Sequence, residues 1–196
     1  MNSESSQPAN SLAGQLLIAM PGLNDPNFDH TVSYILEHNA EGAIGLVINR
    51  PIGLDFGEIL DQLKLPDHGG DLRQQPVLYG GPVQQERGFV IYEANSDEEG
   101  RWESTATFNG NINVTTSPDI LEALADGKGP GEILFVLGYA GWDAGQLDSE
   151  IADNAWLSVD ASNEILFQTP LTERWEAAAK LIGIDITALG STAGHA

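Results

Sequence analysis

The sequence predicts an α+β fold in a single domain. Its apolar segments are short and are grouped around Gly, Pro and Asn residues, which is typical of antiparallel strands joined by turns. Three or four segments with helical spacing are interspersed among them, without the regular strand–helix alternation of a parallel sheet. The 196 residues contain no internal repeat and no linker, so we expect a disordered tail at 1–13, one domain at 14–190 and a flexible end at 191–196.

The predicted strands are short apolar segments of the chain. Each is rich in Val, Ile, Leu or aromatic residues and is stopped by turn-forming residues. They are residues 15–20, 31–37, 43–49, 77–79, 88–93, 103–108, 111–115, 133–137, 156–159 and 164–167. Segments 88–93 and 103–108 are expected to form a hairpin, with three acidic residues and Gly100, at 97–100, as its tip.

Four helices are predicted from capping residues and apolar spacing. Asp55 is placed to cap the first, whose inner face is expected to carry Ile59, Leu60 and Leu63. Ser117, followed by proline, is placed to cap the second, because proline suits the first helical position. The helices are expected at 55–63, 118–126, 144–152 and 171–181.

The most distinctive stretch of the chain is residues 133–151. A buried strand at 133–137 leads into a glycine-rich turn that carries Tyr139 and Trp142, and a helix at 144–152 follows. Junctions of this kind often build sites, because loop backbone and a helix N-terminus meet there. We therefore expect a candidate site at this corner.

The corner lacks the features of a phosphate site. Its glycines do not have dinucleotide-binding spacing, and no Gly-Lys-Ser/Thr follows. Asp143 is expected at the N-cap of the helix, where its charge would repel phosphate. Asp143 and Gln146 match a variant capping box, which explains the helix start structurally.

Glu150 is expected beside the buried stripe of the same helix. Leu147 and Ile151 form that stripe, so Glu150 would be partly buried and would need a partner. Arg50, which follows the apolar strand at 43–49, is the predicted partner. A structural salt bridge and a functional carboxylate both fit this pattern.

Two further patterns have both a structural and a functional interpretation. His38 lies beside Glu37 at the end of a predicted strand, which favours a loop-anchoring hydrogen bonder over a catalytic base. Gly80 and Gly81 allow their backbone to approach either a neighbouring strand or a ligand, and strand packing is favoured.

Missing residue types and spacings argue against several chemistries. The chain has no cysteine, which excludes disulfides, thiolate nucleophiles, zinc–thiolate sites and iron–sulfur clusters. The four histidines are not spaced as a metal-binding pair, and the Gly-x-Ser-x-Gly elbow of hydrolases does not occur. We therefore expect no metal and no cofactor, and no catalytic residue is assigned.

The charge of the chain limits its partners. With 29 acidic and 8 basic residues the net charge is −21, spread over both halves, which disfavours direct binding to nucleic acid or to a membrane surface. Solubility explains this charge, and a basic partner is the lesser alternative. The N-terminus lacks the features of a signal peptide and no apolar run approaches the ~20 residues of a membrane helix, so a cytoplasmic location is expected.

Five blocks of sequence, in order, resemble the YqgE/AlgH family of bacterial proteins. They span about residues 14–185 and read MPGLNDPNF at 20–28, EH at 37–38, GAIGLVINRP at 42–51, GGPV at 80–83 and GYAGWDAGQL at 138–147. The last block is the most diagnostic. Two positions depart mildly, because the family usually carries Glu where Asp148 stands and often Gly near Asn154.

The resemblance implies a mixed, largely antiparallel, bifurcated sheet with a barrel-like part, surrounded by three to five helices. It also implies a cytosolic protein. The family is named for a suggested role as transcriptional regulators of alginate synthesis, and it has no established activity or catalytic residue to carry over. A regulator with this charge is expected to act through an unknown protein or small metabolite, not by gripping DNA.

The favoured hypothesis is a non-enzymatic regulatory or binding module. Its pocket is predicted to be lined by Asn49, Arg50, Gly80, Gly81, Tyr139, Trp142 and Glu150. The first alternative is an enzyme of unknown class that uses Glu150, assisted by Arg50 or His38. The second is a direct transcriptional regulator, which the charge disfavours.

Overall fold

The computed structural model describes residues 10–65, 70–94 and 102–191, which form a fold rich in β-strands. Ten strands lie in these residues: β1 (Gln15–Ala19), β2 (Val32–Asn39), β3 (Gly42–Val47), β4 (Pro51–Asp55), β5 (Pro76–Tyr79), β6 (Val83–Glu93), β7 (Thr105–Phe108), β8 (Ile112–Thr115), β9 (Ile133–Asp143) and β10 (Trp156–Asp160). The same residues form five α-helices: α1 (Phe56–Gln62), α2 (Asp119–Ala125), α3 (Gln146–Ala152), α4 (Arg174–Lys180) and α5 (Ile186–Ser191). One turn of π-helix occupies Glu164–Gln168.

The strands form one curled sheet that divides at β9. Its main path is β10-β1-β2-β3-β9-β6-β8-β7, and β4 and β5 branch from it. The first half of β9 pairs with β5 and β6, whereas residues 140–143 pair with β3. All pairs are antiparallel except β5 with β9. The predicted α+β fold, with a bifurcated, partly barrel-like sheet, is confirmed.

Three cores hold the helices against this sheet. One face of the curled sheet packs against α4, α5 and the π-helical turn, with Tyr34 and Trp175 among its buried side chains. On the other face, α1 and α2 pack over β6 and β9. The third core lies where α3 covers β1, β2 and the far half of β9. Each core follows from the alternation of side chains along a strand, which gives every central strand two buried faces.

The branch point depends on glycine. Gly80 donates its N–H to the carbonyl of Leu137, and its own carbonyl accepts from Val47, so its backbone bridges β9 and β3. A Cβ on Gly80 would overlap the carbonyl of Gly138, and one on Gly81 would overlap the carbonyl of Tyr139. The strand-packing interpretation of these two glycines is therefore confirmed.

The predicted turn at 138–142 is wrong, because β9 continues through it to Asp143. Buried and more exposed residues alternate from Leu137 to Asp143, as a strand requires. Gly42 of β3 lies so close to the carbonyl of Trp142 that any side chain there would overlap it. The glycines of this block therefore permit close strand packing and do not form a loop.

The predicted hairpin between 88–93 and 103–108 is also wrong. Strand β8 lies between these segments, pairing Asn113 with Tyr92 of β6 and with Thr107 of β7. Its proposed tip at 97–100 lies outside the described residues. Sequence spacing gave the right strands here but could not give their order, because adjacent segments do not always pair.

Several smaller corrections concern helices and strands. The predicted strand at 164–167 is a π-helical turn, since a short apolar run has no period that separates a strand from a buried helix. Strand β4 and helix α5 were not predicted. The fourth helix begins at Arg174 and not at 171, and Pro118 caps α2 where Ser117 was expected. Leu63, expected on the inner face of α1, is 51% exposed, and Phe56 is buried there instead.

The predicted domain limits fall partly outside the described residues. Residues 1–9 and 192–196 are not among them, nor are His68 and His195. Ser11 and Leu12, within the predicted tail, bond to His38, and Ser191 ends α5.

Candidate functional site

The corner around Glu150, here called the tryptophan corner, consists of Phe28, Trp142, Gln146, Glu150 and Trp156. The indole N–H groups of Trp142 and Trp156 donate to the same carboxylate oxygen of Glu150, at 3.0 and 2.8 Å. The other oxygen accepts from the amide of Gln146 at 2.8 Å. Phe28 stacks on Trp142 with ring centroids 5.9 Å apart and meets Trp156 edge-on. Both oxygens therefore have donors, and the rings pack against one another.

The predicted pair between Glu150 and Arg50 is wrong. The Arg50 guanidinium donates to the backbone carbonyls of Pro26, Asn27 and Asp29, at 2.7 to 2.8 Å. A guanidinium fork suits this role because it presents several fixed donors at once. Arg50 thus holds the loop between β1 and β2 and does not reach the tryptophan corner.

Asn49 has a similar anchoring role. Its side-chain oxygen accepts from the N–H of Val32, and its amide donates to the carbonyl of His30, both at 2.9 Å. The end of β3 is therefore tied to the start of β2 through one side chain. The pair Asn49–Arg50 fixes backbone on both sides of residue 30.

The start of α3 differs from the predicted cap. Gly145, in the left-handed region at φ 72°, occupies the N-cap where Asp143 was expected. The Asp143 N–H donates to the side-chain oxygen of Gln146 at 2.9 Å, so one of the two hydrogen bonds of the predicted capping box forms. The prediction of Asp143 as N-cap is wrong because Asp143 is the last residue of β9.

His38 is an anchor, as predicted. Its ring is buried, and its Nδ1 accepts the N–H of Leu12 at 3.2 Å. Its Nε2 therefore carries the proton and faces Asp148 at 3.4 Å. Its carbonyl also accepts the hydroxyl of Ser11. These bonds hold the chain before β1 against the end of β2.

The seven residues predicted to line one pocket fall into two groups. Asn49, Arg50, Gly80, Gly81 and the backbone of Tyr139 lie around the branch of the sheet. Trp142 and Glu150 lie together in the tryptophan corner. The side chains of Tyr139 and Trp142 line different cavities, and the one beside Trp142 is a shallow space of about 200 Å³ at the β2–β3 turn.

The cavity beside Tyr139, here called the aromatic cleft, is larger and more apolar. It has a volume of about 390 Å³ and is lined chiefly by Ile44, Arg87, Phe89, Ala106, Phe108 and Tyr139. These side chains come from β3, β6, β7 and β9, and the cleft opens at the margin of the core that contains Tyr34.

Aromatic edges and one cation define the interior of this cleft. Phe89 and Tyr139 meet edge-on with centroids 6.2 Å apart, and Phe108 meets buried Tyr34 edge-on at 5.5 Å. The guanidinium carbon of the exposed Arg87 lies 5.3 Å from the centroid of Phe89. That distance is within the range of a cation–π interaction.

Tyr34 adds a polar atom behind this wall. Its hydroxyl is buried and has no hydrogen-bond partner among the described residues. Burial raises its pKa above the usual range of a phenol, because the ionised form would lose its hydration. The cleft side of the core therefore retains an unsatisfied polar group, whereas the carboxylate and indole groups of the tryptophan corner have partners.

A second large cavity lies on the opposite face of the same strands. It has a volume of about 460 Å³ and lies between α1 and α2; its lining includes Ile59, Leu63, Glu86, Val90, Leu121 and Phe135. We call it the α1–α2 groove. Successive side chains of β6 alternate between the two cavities, since Glu86 and Val90 face the groove and Arg87 and Phe89 face the cleft.

Apart from Tyr139, sequence reasoning missed the residues of the aromatic cleft. Arg87 and Phe89 are two apart in β6 and so share a face, but the predicted strand began at residue 88 and left Arg87 out. Phe108 lies in another strand, and only the order β6-β8-β7 brings it to the same cavity. That order was not predicted.

Neither a metal cluster nor a membrane helix is found in the part of the chain that the structure describes. There, no group of three or more His, Asp or Glu side chains is placed to hold a metal ion. No helix there is long and apolar enough to cross a membrane.

Comparisons with known proteins agree with the fold. Residues 16–187 match the family described as AlgH-like. A UPF0301 protein of Ralstonia nicotianae is 51% identical over 94% of this chain and 95% of its own, and one of Nitrosococcus oceani is 47% identical over 92% and 94%. The solution structure of the AlgH protein from Pseudomonas aeruginosa is 46% identical, with a TM-score of 0.74 over 97% of this chain and 98% of that one. A crystal structure of a Corynebacterium diphtheriae protein shares the fold, with a TM-score of 0.72 at 16% identity over 94% and 93%.

Proposed function

This chain belongs to the AlgH-like family, and we propose that it is a non-enzymatic, cytosolic binding module whose site is the aromatic cleft. The observation that carries the proposal is the position of Arg87 against Phe89 at an apolar cleft, in a chain of net charge −21. The volume of about 390 Å³ falls in the range of small-molecule sites, about 300–1,000 Å³.

The ligand class follows from the lining. Phe89, Phe108 and Tyr139 offer ring edges and faces to a flat apolar group. Arg87 offers a cation to an anionic group, in a protein whose overall field repels anions. Glu37, which also lines the cleft, accepts a hydrogen bond from Asn39. We therefore propose a small amphipathic molecule with an aromatic part and one negative charge.

The two alternative functions have less support. The three groups of the enzyme hypothesis do not converge: Glu150 bonds to tryptophans, Arg50 to carbonyls and His38 to Leu12 and Asp148. A direct transcriptional regulator would need a basic surface, which a net charge of −21 disfavours.

Filling the cleft tests its role. Ala106→Trp places a large side chain in the cleft, whereas Thr107→Trp, the next residue of β7, projects to the opposite face. The probe is anilinonaphthalene sulfonate, an aromatic anion, followed by its own fluorescence. We expect Ala106→Trp to weaken probe binding by about tenfold or more and Thr107→Trp by less than about twofold. Equal affinity of the Ala106→Trp variant and the unmodified protein would contradict the proposal.

The charge of the ligand is tested separately. Arg87→Gln should weaken binding of the sulfonate probe by about fivefold and leave binding of the uncharged analogue phenylnaphthylamine unchanged. Lys128→Gln is the matched control, because Lys128 is an exposed cation paired with Asp126. If Arg87→Gln and Lys128→Gln weaken the sulfonate equally, the net charge and not the cleft controls binding.

A further inference from the structure

The α1–α2 groove is an apolar depression between α1 and α2, above strands β6 and β9. Val90 of β6 and Phe135 of β9 form its floor, Ile59 and Leu63 form the α1 wall, and Leu121 forms the α2 wall. Both helices are short, with 7 residues each, and a space of about 460 Å³ remains between them, although Val90 and Phe135 are themselves buried.

Leu63 is the side chain that most clearly lacks cover. It caps the C-terminus of α1, lines the groove and is 51% exposed. A single exposed leucine is ordinary, but Leu63 is continuous with the apolar lining of the groove, and contiguous apolar surface is a common feature of sites that bind another protein. Because Leu63 lies at the C-terminal end of α1, its side chain is at the rim of the groove and not on the inner face of α1 that the sequence pattern predicted.

The charges around the groove are mainly acidic. Glu86 lines the groove, and Glu58 of α1 and Glu122 of α2 are exposed on its two helices. Asp61 is already paired with Arg73, and Lys64 is a cation next to Leu63. With a net charge of −21, a second copy of the chain would bring like charges to this rim. A partner with basic residues beside its apolar ones fits better.

We propose that the α1–α2 groove binds a basic amphipathic helix of a protein partner. The apolar face of that helix lies in the groove between α1 and α2 and meets Leu63. Its basic flanks face Glu86 and the acidic residues of the two helices. This binding mode, a helix in an apolar groove, is common in protein recognition. The inference does not depend on the aromatic cleft, which lies on the other face of β6.

Two synthetic peptides of equal length test the proposal. One has leucines at helical spacing with lysines elsewhere, and the other carries glutamates in place of the lysines. Binding to the full chain is measured by fluorescence anisotropy at about 150 mM salt, where distant charges are screened. We expect the basic peptide to bind at least about tenfold more tightly than the acidic one.

Matched variants show whether the groove is the site. Leu63→Gln should weaken binding of the basic peptide by about fivefold or more. Leu181→Gln is the matched control, because Leu181 is an equally exposed leucine at the C-cap of α4, and it should change that binding by less than about twofold. Glu86→Gln should weaken binding more than Glu173→Gln, which makes the same charge change away from the groove. Circular dichroism checks that each variant is folded.

Three results would overturn the proposal. The first is no binding of the basic peptide, and the second is equal loss in Leu63→Gln and Leu181→Gln, which would mean attraction to the acidic surface as a whole. The third is a change of oligomeric state in Leu63→Gln by sedimentation, which would make the groove an interface between two copies of the chain.

Discussion

The tryptophan corner and the aromatic cleft are both rich in aromatic residues, but the two regions differ in the partners of their polar groups. In the corner, both oxygens of Glu150 accept hydrogen bonds from the indoles and from Gln146. At the cleft, the Arg87 guanidinium lies on a phenyl ring, and the Tyr34 hydroxyl behind Phe108 has no partner among the described residues. A carboxylate among aromatics is therefore a structural feature when donors satisfy it, and an open cavity with a cation at its wall is the better sign of a site.

The largest expected effect is the loss of stability on removing Glu150. Glu150→Ala leaves the indole N–H groups of Trp142 and Trp156 without an acceptor in a largely buried environment. We expect a loss of about 3 kcal/mol in the free energy of unfolding, measured by urea denaturation. Affinity for the sulfonate probe should not change.

Glu150→Gln is the matched control, because its amide oxygen can still accept from the indoles. This substitution should lower the free energy of unfolding by less than about 1.5 kcal/mol. A loss of probe binding in either folded variant would place the site at the tryptophan corner and contradict the assignment of the site to the aromatic cleft.

Tyr139→Ala should give the opposite pattern. Tyr139 is half-buried at the wall of the cleft, so its removal should weaken binding of the sulfonate probe by about tenfold. The free energy of unfolding should fall by only about 1–2 kcal/mol. Probe titration and urea denaturation of the same sample give the two numbers. Unchanged probe affinity, with the stability loss present, would show that Tyr139 only packs against Phe89.

The smallest effect is expected for Tyr34→Phe, which removes a buried hydroxyl that has no partner. Because burial raises the pKa of Tyr34, the unfolded chain releases that proton at lower pH than the folded chain. Stability from this group is therefore present below pH ~10 and is lost as pH rises from there towards the folded pKa. Tyr34→Phe should be neutral or stabilising by about 1 kcal/mol near pH 7 and should reduce the alkaline loss.

Denaturation curves between pH ~8 and ~11 check this prediction. Tyr79 is the useful comparison, since its pKa is also raised by burial but its hydroxyl donates to Asn27. Tyr79→Phe should therefore be destabilising at neutral pH. A destabilising Tyr34→Phe would mean that its hydroxyl has a partner in solution.

Local chemistry made much of the fold predictable from the sequence. The Asp55 cap, the start of β1 at Gln15 and the α+β class all depend on neighbouring residues. The insertion of β8 between β6 and β7 depends on pairing between distant segments, which spacing does not encode. Gly138 and Gly141 were interpreted as turn residues because glycine serves both turns and close strand packing.

The candidate site was less predictable for the same reason. The sequence identified Glu150 as a partly buried acid that needs a partner, and it does have partners, but they are Trp142 and Trp156 and not Arg50. These tryptophans are 8 and 6 residues from Glu150 along the chain, and the strands β9 and β10 bring them to it from either side. Arg87 and Phe108 become neighbours of one cavity only through the strand order.

The most direct test of the central claim compares both regions in one titration. In a proton–nitrogen correlation spectrum, the indole N–H signals of Trp142 and Trp156 report on the corner, and the backbone signals of Arg87, Phe108 and Tyr139 report on the cleft. On addition of the sulfonate probe we predict that the cleft signals shift with a single affinity while the two indole signals stay in place. Indole signals that shift first, with Arg87 and Phe108 unmoved, would contradict the account.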